Sequence, residues 1–549
     1  MYNQYYSREE QYLFTDRIAV LQELKYHIDQ IKKGGNKKLS LLGPRRIGKT
    51  LTLLELIKRN IADDDIRFCY INLQNTVLMP SLFAKQYVAN ILYWLINDSN
   101  LNIAELEDLN KIVAFSMQLN NKKITESLIR FSDLYVRNQA SNNQFLEFCF
   151  SFPQIVQTNL NKNIIVIIDE FQDIIKMNQY KGVGDVLGIL RVTTMGHNHI
   201  LYLFAGSMVR IMEEITHDPQ SPLFNQVTNI YIDFFEKNSV LEYMEKKRKR
   251  DNFPYSEEIN IRIFQLTQGH PFYVYLLSEA INQYHKVYNL EIEIDTIDKI
   301  FIKELINPKS TLYNHLNYLY EHSLEYAQGS NLLRAILKIL AENDQQRITD
   351  IAQKIYRERS EIKIALGQLE KVDLVSSENK LYSIKDKVLR FWLKNYFGNI
   401  NVELDLDNIV LKNLVEEFKE KYLQVSRELG LIKELELKSL IEKIKNKEIV
   451  IADKRYVIPN FKNIDELKTR KTQVDLVAEN DEKWAFELKW RNEIIGLDEV
   501  QKFIQKVDAD KYVVVSKSGF TREALEFRDS NKELLLWDKD VFSINIDKG

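Results

Sequence analysis

An α/β architecture of several domains follows from three features of the 549-residue chain: a glycine-rich loop between a short strand and a helix, β-branched runs separated by helical stretches, and a late hairpin with one apolar face. At roughly 150 residues per domain, the length predicts three or four domains. Hydrophobic residues at 45% and charged residues at 28% are ordinary for a globular chain, which excludes collagen-like, disordered and membrane classes. The longest aliphatic run, Ile164 to Ile168, is far short of the roughly 18 residues of a transmembrane helix. Met1 to Gln11 is polar, so no secretory signal and a cytoplasmic location are expected. Cys69 and Cys149 are too few for a disulfide framework or a cysteine-rich zinc site. A net charge of -3 means that any DNA contact must be local.

The elements follow in order. Ile18, Leu21, Leu24, Ile28 and Ile31 recur at helical spacing, Gly34-Gly35 breaks the pattern, and Lys38 to Leu42 reads as a strand. Arg67 to Leu73 is a second strand, and Ser81 to Phe150 is mostly helical. Asn163 to Ile168 and Ile200 to Ala205 have the nearly continuous apolar character of parallel strands buried on both faces. Together they predict right-handed βαβ units and a doubly wound parallel sheet. Helices dominate again from Ser239 to about Ala327, as a lid. From Asn331 to Leu393 three helices precede two short strands around Ser377-Glu378-Asn379, the order of a winged helix, with the helix after Ser360 as its recognition helix. Residues 331–400 carry 13 Lys and Arg against 9 Asp and Glu, a positive excess in an acidic chain. A polar linker near Asn399 to Asn408 leads into a last α/β segment. The expected domains are 1–235, 236–327, 328–400 and 401–549.

Gly43-Pro44-Arg45-Arg46-Ile47-Gly48-Lys49-Thr50 fits GxxxxGK[ST], follows a predicted strand and opens the helical run that starts at Leu51. The glycines let successive backbone N–H groups converge on phosphate oxygens, and the helix adds its positive end. Lys49 would reach the β- and γ-phosphates of ATP, and the Thr50 hydroxyl would hold Mg²⁺. The strand ending in Asp169-Glu170 supplies carboxylates at the same sheet edge. Asp169 would position Mg²⁺, and Glu170 would orient and deprotonate the attacking water. Ser207, after the next strand, is either a sensor of the γ-phosphate or an ordinary turn serine.

These pieces, with Phe14-Thr15-Asp16-Arg17 and Gly269-His270-Pro271, resemble the archaeal-type ATPases among the STAND/AAA-related P-loop NTPases, over about Phe14 to Leu277. The resemblance implies a P-loop NTPase sheet with a helical lid, slow ATP hydrolysis that switches conformation, and nucleotide held by Gly43 to Leu51, Asp169, Ser207 and His270. Where relatives carry Pro-Leu-Phe/Tyr-Gly-Arg, this chain has Pro222-Leu223-Phe224-Asn225-Gln226 and lacks that arginine. Arg191 and Arg210 are substitutes between which the sequence does not choose.

Gln473 to Trp490 reads as a hairpin around Asn480-Asp481-Glu482. A three-residue loop sets Asp475 opposite Glu487 and Gln473 opposite Lys489 on one face, and gathers Val474, Leu476, Ala478, Trp484, Phe486, Leu488 and Trp490 on the other. Two carboxylates with a lysine suit metal-assisted phosphodiester hydrolysis, with Asp475 and Glu487 as Mg²⁺ ligands and Lys489 orienting water or neutralising phosphate charge. An exposed salt-bridged strand face accounts for the same spacing. Leu411 to Trp537 also resembles the PD-(D/E)xK nuclease superfamily, specifically the uncharacterised domain (DUF234) often fused to archaeal-type ATPases. The resemblance implies a restriction-endonuclease-like fold, catalytic roles for Asp475, Glu487 and Lys489, an extra acid at Glu416 or Glu417, and Gln501 as a polar helper. Asp386 to Trp392 looks like the family's junction segment.

The run Lys246 to Arg250 reads as a solvated helix face rather than a phosphate grip, and the eight histidines show no zinc spacing. The function expected is an ATPase whose nucleotide state controls a DNA-binding, Mg²⁺-dependent nuclease-like domain. The alternatives are an ATP-gated DNA-binding or protein-interaction switch whose last domain does not cut, and a signalling ATPase whose winged helix touches no DNA. The partners expected are nucleotide and DNA, without a membrane, leaving room for a homo-oligomer or a protein partner.

Overall fold

Aliphatic strands form the centre of the N-terminal half in a computed structural model that describes residues 5–96, 103, 106, 108–136, 141–253, 255–288, 292–327, 331–400, 405–406, 408–418, 437–438, 440–451, 454–468, 473–490 and 494–543. Strands β1 (Asn36–Leu42), β2 (Ile66–Asn72), β3 (Asn163–Asp169), β4 (Ile200–Gly206) and β5 (Thr228–Tyr231) lie in the order β2-β3-β4-β1-β5, with every pair parallel. All of β4 is buried, and all of β3 after its first residue, which is why both read as unbroken apolar runs. The edge strand β5 was not expected: it has only four residues, of which Ile230 alone is buried, and gives no such run. Because the strands are parallel, the segments after β1, β3 and β4 emerge at one carboxyl edge.

The stretch expected to be mostly helical contains helices Pro80–Ile96, Leu109–Ser116, Lys122–Val136 and Asn142–Leu160, and the lid region contains Lys237–Asp251, Glu257–Thr267, Pro271–Tyr288, Ile294–Ile306 and Thr311–Tyr326. The cations of Lys246 to Arg250 form a solvated face only at Arg248 and Lys249. Lys247 is fully buried between Asp251 and Glu279, Lys246 donates to the Phe14 carbonyl at 2.6 Å, and Arg250 reaches Glu9, Asp251 and Glu279. The run therefore ties its helix to the N-terminal segment and to the helix Pro271–Tyr288. Helices Asn331–Glu342, Ile348–Ile355 and Arg359–Lys371 precede an antiparallel hairpin of β6 (Val375–Glu378) and β7 (Leu381–Ile384), and the helix Lys387–Phe397 follows.

Two compact units emerge: Met1–Asn260 with Thr267–Glu291 and Glu304–Glu403, and Ile261–Leu266 with Ile292–Lys303 and Leu404–Gly549. The second unit holds a small pair, β8 (Glu448–Ile451) and β9 (Lys454–Val457), and a mixed sheet. In the mixed sheet β10 (Asn463–Lys468), β11 (Gln473–Glu479) and β12 (Lys483–Lys489) run antiparallel, and β12, β13 (Lys511–Ser516) and β14 (Leu534–Asp538) run parallel. Leu476, Ala478, Trp484, Phe486 and Leu488 share one apolar cluster, as the alternation predicts. The opposite face is not wholly polar, since Val477 and Ala485 bury against Val500, Phe503 and Ala524. Val474 also belongs to that second cluster, contrary to the expected alternation. The pairing jumps from Asp465↔Val477 to Leu467↔Val474, so β11 carries one extra residue there and its facing changes. Among the described residues no helix is long and apolar enough to cross a membrane.

Candidate nucleotide site and carboxylate–lysine cluster

The glycines of the loop after β1 are set by geometry. A Cβ on Gly43 would lie 2.6 Å from the Ile232 carbonyl oxygen, and Gly48 takes φ +100° at the mouth of the helix Lys49–Asn60. Lys49 is only 5% exposed. Its ammonium turns into the loop and donates to the carbonyls of Gly43 at 2.7 Å and Pro44 at 2.8 Å. Burial lowers its pKa to about 8, against the opposing pull of Glu170 and Asp169. Arg17 braces the loop from outside: its guanidinium donates to the Ile47 carbonyl at 3.0 Å and lies over the Phe235 ring at 4.9 Å. Arg46 lies 4.1 Å over Phe272.

Asp169 and Thr50, each expected at the Mg²⁺, are joined directly. The Thr50 hydroxyl donates to Asp169 Oδ2 at 2.7 Å, and the Tyr70 hydroxyl donates to the same oxygen at 2.9 Å. Burial, then the neighbouring Glu170 charge, raises the Asp169 pKa. Glu170 sits in the left-handed region at φ +53° and holds Oε2 against two donors, Ser207 Oγ at 2.6 Å and Gln172 Nε2 at 2.5 Å. Ser207 thus meets Glu170 directly. His270 is buried, its pKa lowered by that burial to about 4, and it stacks on Tyr273 with ring centres 4.1 Å apart. At neutral pH it is an uncharged wall.

A cavity of about 450 Å³ opens beside the loop between Arg46, Gly48 and Leu51 on one side and Phe14, Phe235 and Phe272 on others. An apolar slot next to a phosphate cradle suits a flat heterocycle with a charged tail. Sequence reasoning missed Arg17's brace, Tyr70, Gln172 and this aromatic lining. The Phe14–Arg17 motif was the signal nearest to the brace and the slot.

In the second unit the loop Asn480-Asp481-Glu482 and the register Leu476↔Phe486 hold as expected, and the ladder ends there, one step short of Asp475 and Glu487. The Asp475 carboxylate accepts the Leu488 backbone N–H at 2.6 Å. Glu487 is 4% exposed, and its Oε1 accepts from Lys489 at 2.7 Å and from Lys506 at 2.9 Å. Its Oε2 is buried with no hydrogen-bond partner. A buried carboxylate oxygen left bare is costly, and a cation is the natural group to satisfy it. Lys506, just past the helix Leu497–Ile504, was not foreseen; Gln501, on that helix, was the helper expected in its place. Glu416 and Glu417 lie on the helical stretch 409–418.

A parallel sheet with a lysine-bearing phosphate loop, and an acidic strand end bonded to the loop's threonine, define a P-loop ATPase domain. Residues 14–277 match the family described as an ATPase domain predominantly from Archaea, and residues 456–543 match a restriction endonuclease family. The chain thus carries an archaeal-type ATPase domain in its N-terminal region and a restriction-endonuclease domain at its C-terminal end. Among solved structures it is similar to a Walker-type ATPase of Pyrococcus abyssi at 16% identity, covering 69% of this chain and 96% of that one, with TM-score 0.48. It is also similar to the ORC2 protein of Aeropyrum pernix, in ADPNP–ADP complexes, at 15% identity over 70% of this chain and 93% of that one, with TM-score 0.43. No curated protein matches the chain.

Proposed function

We propose that this ATPase uses its nucleotide state to control a DNA-binding winged helix and a metal-dependent nuclease site at Asp475, Glu487 and Lys489. ATP would bind with its phosphates in the Lys49 loop and its base in the aromatic slot. Thr50 and Asp169, already sharing a hydrogen bond, would hold Mg²⁺, which supplies charge neutralisation for the phosphates. Glu170 would orient and deprotonate the attacking water once freed from Ser207 and Gln172.

The observation that carries the nuclease half is Glu487 Oε2, a buried acceptor without a donor, one strand away from Asp475. These two carboxylates would hold Mg²⁺ in the second site, and Lys489 would neutralise phosphate charge. DNA would be held by the winged helix of residues 331–397, whose exposed cations include Arg357 and Lys363. A non-cleaving reading draws on the two lysines that already neutralise Glu487, the contacts of a structural ion cluster. Plasmid incubated with the full chain, Mg²⁺ and ATP separates the readings. Nicking that disappears in Asp475→Ala and Lys489→Ala, with ATP binding intact, supports the nuclease; no nicking by the unaltered chain under any metal condition supports the structural cluster. Unchanged DNA affinity after Arg357→Gln and Lys363→Gln would remove the winged helix as a DNA contact.

A further inference from the structure

A second cavity, of about 340 Å³, lies on the other side of the phosphate loop. Gly43, Pro44 and Ser207 form one wall, and Asp373, Lys385 and Asp386, from the helix-and-hairpin segment 331–397, form another. The walls are electrostatically in touch: Asp373 acts on Lys49, and His270 responds to both Lys49 and Asp386. Asp386 accepts from the Tyr273 hydroxyl at 2.6 Å, and Tyr273 is the ring on which His270 stacks. Nucleotide phosphates in the loop would therefore lie within the field of charges that belong to the helix-and-hairpin segment.

Two cations line this cavity, Arg45 and Lys385. Arg45 belongs to the loop itself and is engaged with the Tyr318 hydroxyl at 3.4 Å. Lys385 donates to Asp373 Oδ1 at 2.9 Å, and its side chain is 45% exposed, so no burial holds it there beyond that ion pair. Asp373 is a fixed post. It holds a left-handed backbone at φ +60°, and its Oδ2 accepts the Arg210 N–H at 3.4 Å at the start of the helix Val209–His217. The two arginines that the sequence offered are directed elsewhere. The Arg210 guanidinium reaches Glu370, and Arg191 lies beside Lys38 near the amino end of β1, away from the edge where the loop opens.

We infer that Lys385 contacts the terminal phosphate of bound ATP, exchanging Asp373 for the phosphate and so linking the helix-and-hairpin segment to the nucleotide state. An anionic terminal phosphate entering this cavity meets three acids, Asp233, Asp373 and Asp386, and the Lys385 ammonium; attraction to Lys385, strengthened by turning it away from Asp373, offsets their repulsion. ADP lacks the phosphate and leaves Lys385 on Asp373. The inference rests on the nucleotide reading of the Lys49 loop.

Titrating fluorescent ATP and ADP analogues against the full chain in Mg²⁺ tests both. Lys385→Met is expected to weaken ATP binding about tenfold while changing ADP binding by less than about twofold, and Lys385→Arg to restore most of the loss. Asp373→Asn, which releases the lysine, is expected to raise the preference for ATP over ADP. A purely structural ion pair would move both nucleotides together, so equal changes for ATP and ADP in Lys385→Met overturn the inference. Should that variant not fold, an unchanged preference in Asp373→Asn overturns it equally. Failure of the unaltered chain to bind ADP would remove the nucleotide reading and this inference with it.

Discussion

The two acidic sites of this chain solve the same electrostatic problem in opposite ways. Asp169 is buried against neutral donors, the hydroxyls of Thr50 and Tyr70, and its proton affinity rises. Glu487 is equally buried but meets two ammonium groups on one oxygen and nothing on the other. The first arrangement is a neutral cradle that keeps a carboxylate in place, with no cation bonded to it and only the field of Lys49 opposing its charge. The second is neutralised in advance and left short of one partner. A charge with no cation bonded to it is ready for one that arrives with a ligand, whereas a bare oxygen beside two lysines favours an ion held by the protein itself.

The largest expected effect concerns Glu170, next to the neutral cradle. Glu170→Gln should lower ATP hydrolysis by about 10²- to 10⁴-fold in single-turnover assays while ATP still binds. Retained turnover would move the base elsewhere. Replacing carboxylate by amide then sharpens the contrast between the sites. Asp169→Asn keeps an oxygen for both hydroxyls and removes a charge that burial disfavours, but it sets an NH₂ against the Glu170 N–H that Oδ1 accepts, so the two effects offset and thermal stability should change by no more than about 1 kcal/mol. Glu487→Gln leaves Lys489 and Lys506 facing each other without their shared anion and should destabilise the second unit by about 1–2 kcal/mol, after allowance for the partial exposure of both lysines. Equal effects in denaturant melts would dissolve the distinction.

Gly43→Ala should cost about 1–3 kcal/mol, because the new methyl meets the Ile232 carbonyl. The smallest effect is a pH dependence. Lys49 has a free-state pKa of about 8, and a bound phosphate raises it, so nucleotide affinity should be constant below pH 8 and decline as pH rises beyond it. Lys49→Met should flatten that decline. A slope that persists in the variant would assign the titration to another group.

The fold was legible where one physical signal dominated. Runs such as Ile164 to Ile168 can only be buried on both faces, and Gly43 to Thr50 carries its own backbone geometry in its glycines. The strand β5 was not legible because a single buried residue, Ile230, among four makes no run. Asp169 at the sheet edge of the phosphate loop followed from a strand end, and the hairpin register as far as Leu476↔Phe486 from the period of two. Tyr70 and Lys506 did not, since each reaches its carboxylate from another element, and Gln172, only two residues past Glu170, meets it through the left-handed turn at Glu170 that no sequence pattern marks. The extra residue in β11 escaped for a related reason: a bulge is fixed by the partner strand β10, and the apolar run Leu476-Val477-Ala478 does not mark where the facing of β11 changes. Lys247 reads as one more cation in a charged run and is buried only because Asp251 and Glu279 converge on it.

The most direct measurement compares plasmid nicking by the unaltered chain and by Lys49→Ala, with Mg²⁺, in the presence and absence of ATP. If nucleotide controls the second site, ATP should change the nicking rate of the unaltered chain and have no effect on the variant. Nicking that is the same with and without ATP in both proteins would contradict that control and leave two independent sites on one chain.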